Sequence, residues 1–129
     1  MVVRRHRDLE AWQRADIVRK AFLELTARDV VRRDFDFCDQ TRRAARSACR
    51  NIAEGFYRFR HPEFANFMNI AIGSLGELLD STDDALENRY LDKAAHQELN
   101  TLIDRAMASS MALQQHLLTT PTPPRRRRQ

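Results

Sequence analysis

A chain of 129 residues that is 43% hydrophobic and 31% charged fits one soluble globular domain with a single core, and excludes an intrinsically disordered protein. Three glycines, four prolines and no run of alternating β-branched residues exclude a strand-rich fold and favour an all-helical one. The net charge of +4 is uneven: residues 1–60 hold fifteen basic and nine acidic groups, residues 61–124 hold three and nine, and Arg125–Arg128 add four positive charges, so any contact with a polyanion must be local.

No stretch approaches the roughly 20 apolar residues of a membrane span. The opening "MVVRRHRDLEAW" carries charge where a signal peptide carries an apolar run, so a cytoplasmic location is expected. Asp8 is placed to cap a first helix, about residues 8–28, in which Leu9, Trp12, Ala15, Val18, Phe22 and Leu25 recur at three- and four-residue steps. "DVVRRDFDF" breaks that period and reads as a connection or a frayed helical end.

The second helix is expected over about 39–58. Cys38 and Cys49 would stand about 16 Å apart along one helix, beyond disulfide reach, and read as small core residues in a reducing compartment. Advancing 100° per residue, Cys38, Thr41, Ala45, Ala48, Cys49, Ile52 and Phe56 form a core stripe. Roughly opposite lie Arg42, Arg43, Arg46 and Arg50, with Glu54 four residues after Arg50 and Arg58 at the helix end. Ala44, Ala48, Asn51 and Gly55 make a third, small-residue stripe that lets another helix approach closely; Gly55 costs about 1 kcal/mol of helix propensity, which calls for a packing role or a kink. Asn51 reads as a structural amide bonding a neighbouring helix or loop, with base recognition the alternative.

"RHPEF" opens a third helix, about 62–88, with proline in its first turn and Phe64, Phe67, Met68, Ala71, Leu75, Leu78, Leu79, Thr82 and Leu86 on one face. Its other side carries Asn66, Asn69, Ile72, Gly73 and Gly76 in place of charges, which points to contact between subunits or to plain surface tolerance. Asp92 is placed to cap a fourth helix, about 92–118, with Ala95, Leu99, Leu102, Ile103, Ala106, Ser110, Leu113 and Leu117 facing inward. Four such helices joined by short connections make an antiparallel up-down-up-down four-helix bundle over residues 1–118, and 119–129, "TPTPPRRRRQ" in its greater part, reads as a disordered basic tail.

Two readings of the arginine face stay open. Guanidinium groups pair bidentately with phosphate oxygens, and four of them track about 12 Å of helix. Alternatively they form salt bridges to the acidic second half, where Asp80, Asp83, Asp84 and Glu87 cluster, within the chain or across a subunit boundary. His6, His61, His96 and His116 sit in separate elements without metal-ligand spacing, and no phosphate-cradling glycine loop or nucleophile elbow occurs, so no metal, cofactor or enzymatic activity is expected. Glu54 with Tyr57 and Arg50 is explained as a helical charge pair.

"DLEAW", "QTRRAARSACRNIAEGFYR" and "FANFMNIAIGSLGELLD" together resemble the bacterial four helix bundle protein family, which includes proteins encoded in intervening sequences of 23S ribosomal RNA genes and is related in fold to accessory proteins of diversity-generating retroelements. The resemblance covers nearly the whole chain apart from the tail. It implies a homopentameric ring of bundles without known catalysis, a role in binding nucleic acid, RNA or DNA, and, in the retroelement relatives, a reverse transcriptase and its template RNA as partners. Carried onto this sequence, Arg42, Arg43 and Arg46 are the implied basic contacts, and Asn51, Glu54 and Gly55 the structural signature. The connection "RRDFDFCDQ" departs from the family pattern in lacking proline and glycine, and Arg125, Arg126, Arg127 and Arg128 are basic contacts suggested by charge alone.

Overall fold

The computed structural model describes residues 2–125; Met1 and 126–129, and with them Arg126, Arg127 and Arg128, lie outside the described residues. A short 3-10 turn, His6–Asp8, leads into four helices: α1 (Glu10–Ala27), α2 (Phe35–Phe56), α3 (His61–Glu87) and α4 (Lys93–Thr119). Each helix packs on the next, α4 closes back on α1, and among the described residues the diagonal pairs make no contact. With connections this short, the arrangement is the all-α antiparallel up-down-up-down bundle that the four apolar stripes require.

The stripes converge as their periodicity dictates. Val18 and Phe22 of α1, Ala48 and Ile52 of α2, Met68, Leu75 and Leu78 of α3, and Ile103 and Ala106 of α4 are all fully buried. Cys38 and Cys49 are buried free thiols, and Cys38 Sγ donates to the Val31 carbonyl at 3.3 Å.

Three helix ends differ from the sequence expectation. Asp8 does not cap α1; its carboxylate accepts from the backbone N–H of Arg4 and Arg5 at 2.9 and 3.1 Å and so closes the preceding 3-10 turn, while Leu9 precedes α1 without a side-chain cap. The second helix begins four residues before position 39, because Asp34 accepts from Phe37 N and nucleates the turn there. It stops at Phe56, where Tyr57 N and Arg58 N tighten onto the carbonyls of Glu54 and Gly55. Asp92 does cap α4, accepting from Ala95 N at 2.8 Å, and Pro62 sits in the first turn of α3.

Antiparallel packing sorts the connections to two ends. At one end Tyr90 ties the 28–34 and 88–92 connections together: its hydroxyl donates to Asp34 at 2.7 Å and its carbonyl accepts from Arg28 at 3.0 Å. At the other end the N-terminal turn, the 57–60 connection and residues 120–125 meet. His6 Nδ1 lies 3.0 Å from the Tyr57 hydroxyl, His61 N donates to Thr122 Oγ1 at 2.9 Å, and the Arg125 guanidinium stands 4.6 Å over the Phe59 ring. Residues 121–125 have no regular secondary structure, yet these contacts hold them against the start of α3. Among the described residues no helix is long and apolar enough to cross a membrane.

Candidate nucleic-acid interface

The arginines of α2 do not form one uniform arc. Arg42 is half-buried and its Nε donates to Thr26 Oγ1 at 3.0 Å, binding α2 to the end of α1. Arg43 points outward and pairs with Asp39, one turn back, at 3.3 Å. Arg58, beyond the helix, pairs with Glu54 at 3.3 Å and lies 5.1 Å over the Phe67 ring. Glu54 therefore serves Arg58, in place of the Arg50 pairing that helical spacing alone allowed. Both pairs are exposed, where solvent leaves little net stabilisation.

Arg46 and Arg50 are exposed and take part in no ion pair among the described residues. They stand on the α1 side of α2 and border a groove of about 360 Å³ between the two helices, together with His6, Arg7, Trp12, Asp16 and Arg19. Cys49 and Ala53 also line it. Asp16 is its one carboxylate, already engaged by Arg19 at 2.7 Å and Lys20 at 3.1 Å. Burial pushes the Asp16 carboxyl up, but the hydrogen bonds from Arg19 and Lys20 outweigh it and hold the group below its ordinary range, as a carboxylate. The groove thus keeps a surplus of positive charge at neutral pH.

Salt bridging within the chain does not satisfy this surface. Among the described residues no ion pair joins an arginine of α2 to an acid of the second half; Asp83 is taken by His96 at 2.8 Å, and the other pairs are local to one helix or turn. The two charge fields are separated because Asp80, Asp83, Asp84 and Glu87 occupy the last turns of α3, at the Tyr90 end. At the opposite end Arg4, Arg5, Arg7, Arg58, Arg60 and Arg125 gather from segments remote in sequence. Sequence reasoning missed Arg4, Arg5, Arg7, Arg19 and Arg60 as members of a basic surface. The signal was the surplus of fifteen bases over nine acids in residues 1–60, read together with antiparallel topology.

The small-residue stripe packs as a contact surface. Ala44 is buried, and a Cβ on Gly55 would fall 2.7 Å from Phe64 Cδ1 and 2.8 Å from Phe67 Cβ. Asn51 Nδ2 donates to the Ser47 carbonyl at 2.8 Å and to Ser47 Oγ at 3.0 Å, and Ser74 Oγ of α3 donates to the same Ser47 hydroxyl at 2.9 Å. The amide thus belongs to a polar link between α2 and α3. On the outer side of α3, Asn66, Asn69 and Gly73 are exposed, Ile72 and Gly76 half-buried, and a Cβ on either glycine meets nothing within 4 Å. Ile70, beside them, is 51% exposed.

The buried Cys49 under the groove has its thiol pushed up to about 11 by burial, with the carboxylate of Asp16 adding to the shift and Arg19 partly opposing it. Cys49 is therefore expected to resist iodoacetamide at pH 8 in the folded protein and to react when the chain is unfolded, read by mass spectrometry. Because the folded thiol holds its proton more tightly than the unfolded one, stability is complete below about pH 9 and falls between about pH 9 and 11, by roughly 2–3 kcal/mol in all. Denaturant melts of wild type and Cys49→Ala across that range check it; the variant should lose this alkaline slope.

The model of the 23S rRNA-intervening sequence protein family matches residues 7–111, which takes in the basic groove apart from His6 and all but the last part of α4. The chain belongs to that family. No curated protein matches it.

Proposed function

We propose that this family member is a non-catalytic, oligomeric accessory protein of the cytoplasm that binds RNA through the phosphate backbone. The single observation that carries the proposal is the pair Arg46 and Arg50, held exposed beside the α1–α2 groove and in no ion pair among the described residues. A charged group left free on a rigid helix costs no rearrangement when a phosphate arrives, and bidentate guanidinium pairing supplies the contact. Arg43 lends a further charge outside the groove, and Arg58 and Arg125 extend the basic surface around the end of the bundle. The family's association with 23S rRNA intervening sequences supports RNA as the polyanion. The relation to retroelement accessory proteins that the sequence resemblance implies extends the proposal to an RNA–protein complex such as one with a reverse transcriptase.

Binding of a labelled RNA to the full chain, followed by anisotropy across a salt series, tests the proposal. The logarithm of affinity should fall linearly with the logarithm of salt, with a slope of about −0.7 per phosphate contact on a single strand. A binding constant indifferent to salt would overturn it.

Self-association through the outer face of α3 is the second part of the proposal, and a pentameric ring is the form that the family resemblance implies. Asn66, Asn69, Ile70, Ile72, Gly73 and Gly76 give that face little charge to desolvate, and the two glycines leave its backbone open to close approach. Gly73→Ala is expected to stabilise the isolated bundle by about 1 kcal/mol through helix propensity. The same methyl should obstruct the interface, so light scattering should report smaller particles while the dilute protein melts at higher temperature. A higher melting temperature with unchanged particle size would place the interface elsewhere.

A further inference from the structure

The groove that holds Arg46 and Arg50 ends on an aromatic cluster. Trp12 is half-buried at its edge; the His6 ring meets Trp12 edge-on at 5.2 Å and Tyr57 at 5.7 Å, and Tyr57 is 63% exposed. The Arg7 guanidinium covers the indole at 4.9 Å. A surface built only to hold phosphates needs none of this: Trp12 packs one side against the core and leaves the rest of its indole lining the groove. Guanidinium groups beside π faces are what an unpaired strand requires, because its bases are free to stack while its phosphates are neutralised.

We propose that the α1–α2 groove takes an unpaired segment of single-stranded RNA, with phosphates on Arg46 and Arg50 and a base stacked at Trp12. The inference rests on the RNA-binding reading above and adds which form of RNA is bound. The base displaces Arg7 from the indole face, since stacking of a base on an indole outweighs an exposed cation–π contact, and the freed guanidinium joins the phosphate contacts. His6 and Tyr57 brace the indole from the side through the hydrogen bond between them, 3.0 Å from Nδ1 to the hydroxyl. A duplex gains nothing from this end of the groove, because its bases are already stacked and its exterior presents phosphates and sugars. The inter-helix position of the groove gives room for one strand, with α1 and α2 as its walls.

Trp12 is the sole tryptophan of the chain, so indole emission, excited apart from the two tyrosines, reports on this site alone. The test adds a short oligouridylate, or a blunt RNA duplex of the same length, to the full chain at low salt, following both indole emission and anisotropy of labelled RNA. The single strand should quench Trp12 and bind about tenfold or more tightly than the duplex. Trp12→Leu should bring the two affinities together with the salt slope retained, and Tyr57→Leu, at an exposed position, should narrow the gap without altering the fold. Equal affinity for both RNAs, or tight binding of the single strand with no change in emission, overturns the single-strand site while leaving the backbone-binding reading in place. Failure of the wild type to bind either RNA overturns that reading and this inference together.

Discussion

Alanine at Arg43, Arg46 and Arg50 together is expected to weaken RNA binding about 100-fold at roughly 0.1 M salt. The magnitude follows from counterion release. Each phosphate contact on a single strand is worth about 0.7 log units of affinity per tenfold dilution of salt, so three contacts between about 1 M and 0.1 M are worth about two log units. The salt slope should fall by about 2 in the same variant. Arg42 is deliberately spared, because its Nε bonds the buried Thr26 hydroxyl and its loss would loosen α1 from α2. The three residues are exposed, and among the described residues only Arg43 has a carboxylate partner, so thermal stability should change little. An unaltered slope in this variant would remove the site from α2. Dissociation of the oligomer, with RNA binding kept, would instead make these arginines bridges between subunits.

Gly55→Ala is expected to destabilise the bundle by roughly 2 kcal/mol, even though alanine is the better helix former by about 1 kcal/mol. The new methyl would lie 2.8 Å from Phe67 Cβ, an atom fixed to the α3 backbone, so α3 itself must retreat. It would also lie 2.7 Å from Phe64 Cδ1, a ring already buried against the core. Retreat of α3 strains the adjoining Asn51–Ser47–Ser74 link as well. For a domain of this size the melting temperature should fall by about 8 °C. Gly76→Ala is the control in the dilute, dissociated protein: open space around that position in the single bundle leaves only the propensity gain, so there the same chemical change should raise the melting temperature. If Gly55→Ala were stabilising, α2 and α3 would not be packed at backbone distance, and the small-residue stripe would lose its meaning.

The amphipathic period by itself determined the fold of this protein, because a stripe repeating every three to four residues has one stable use in water, burial against other stripes, and four of them joined by short connections leave one simple topology. It determined as well that Gly55 needs a close neighbour, since a mid-helix glycine is a cost that packing must offset. The ends of the helices were less legible. Asp8 and Asp34 have the same side chain, yet Asp8 accepts from the backbone N–H groups before it and closes a 3-10 turn, while Asp34 accepts from Phe37 N after it and starts an α-helix. Tertiary structure alone decided what the arginines do. Five basic residues of one segment became one anchor at Arg42, two exposed pairs at Arg43 and Arg58, and two charges, Arg46 and Arg50, in no ion pair among the described residues. That division depends on which carboxylates and hydroxyls the neighbouring helix brings within about 3–4 Å, a distance over which charge pairing is decided and which helical spacing within one segment does not encode. The aromatic end of the groove has the same origin: His6, Trp12 and Tyr57 are joined only because antiparallel packing returns the end of α2 to the start of α1.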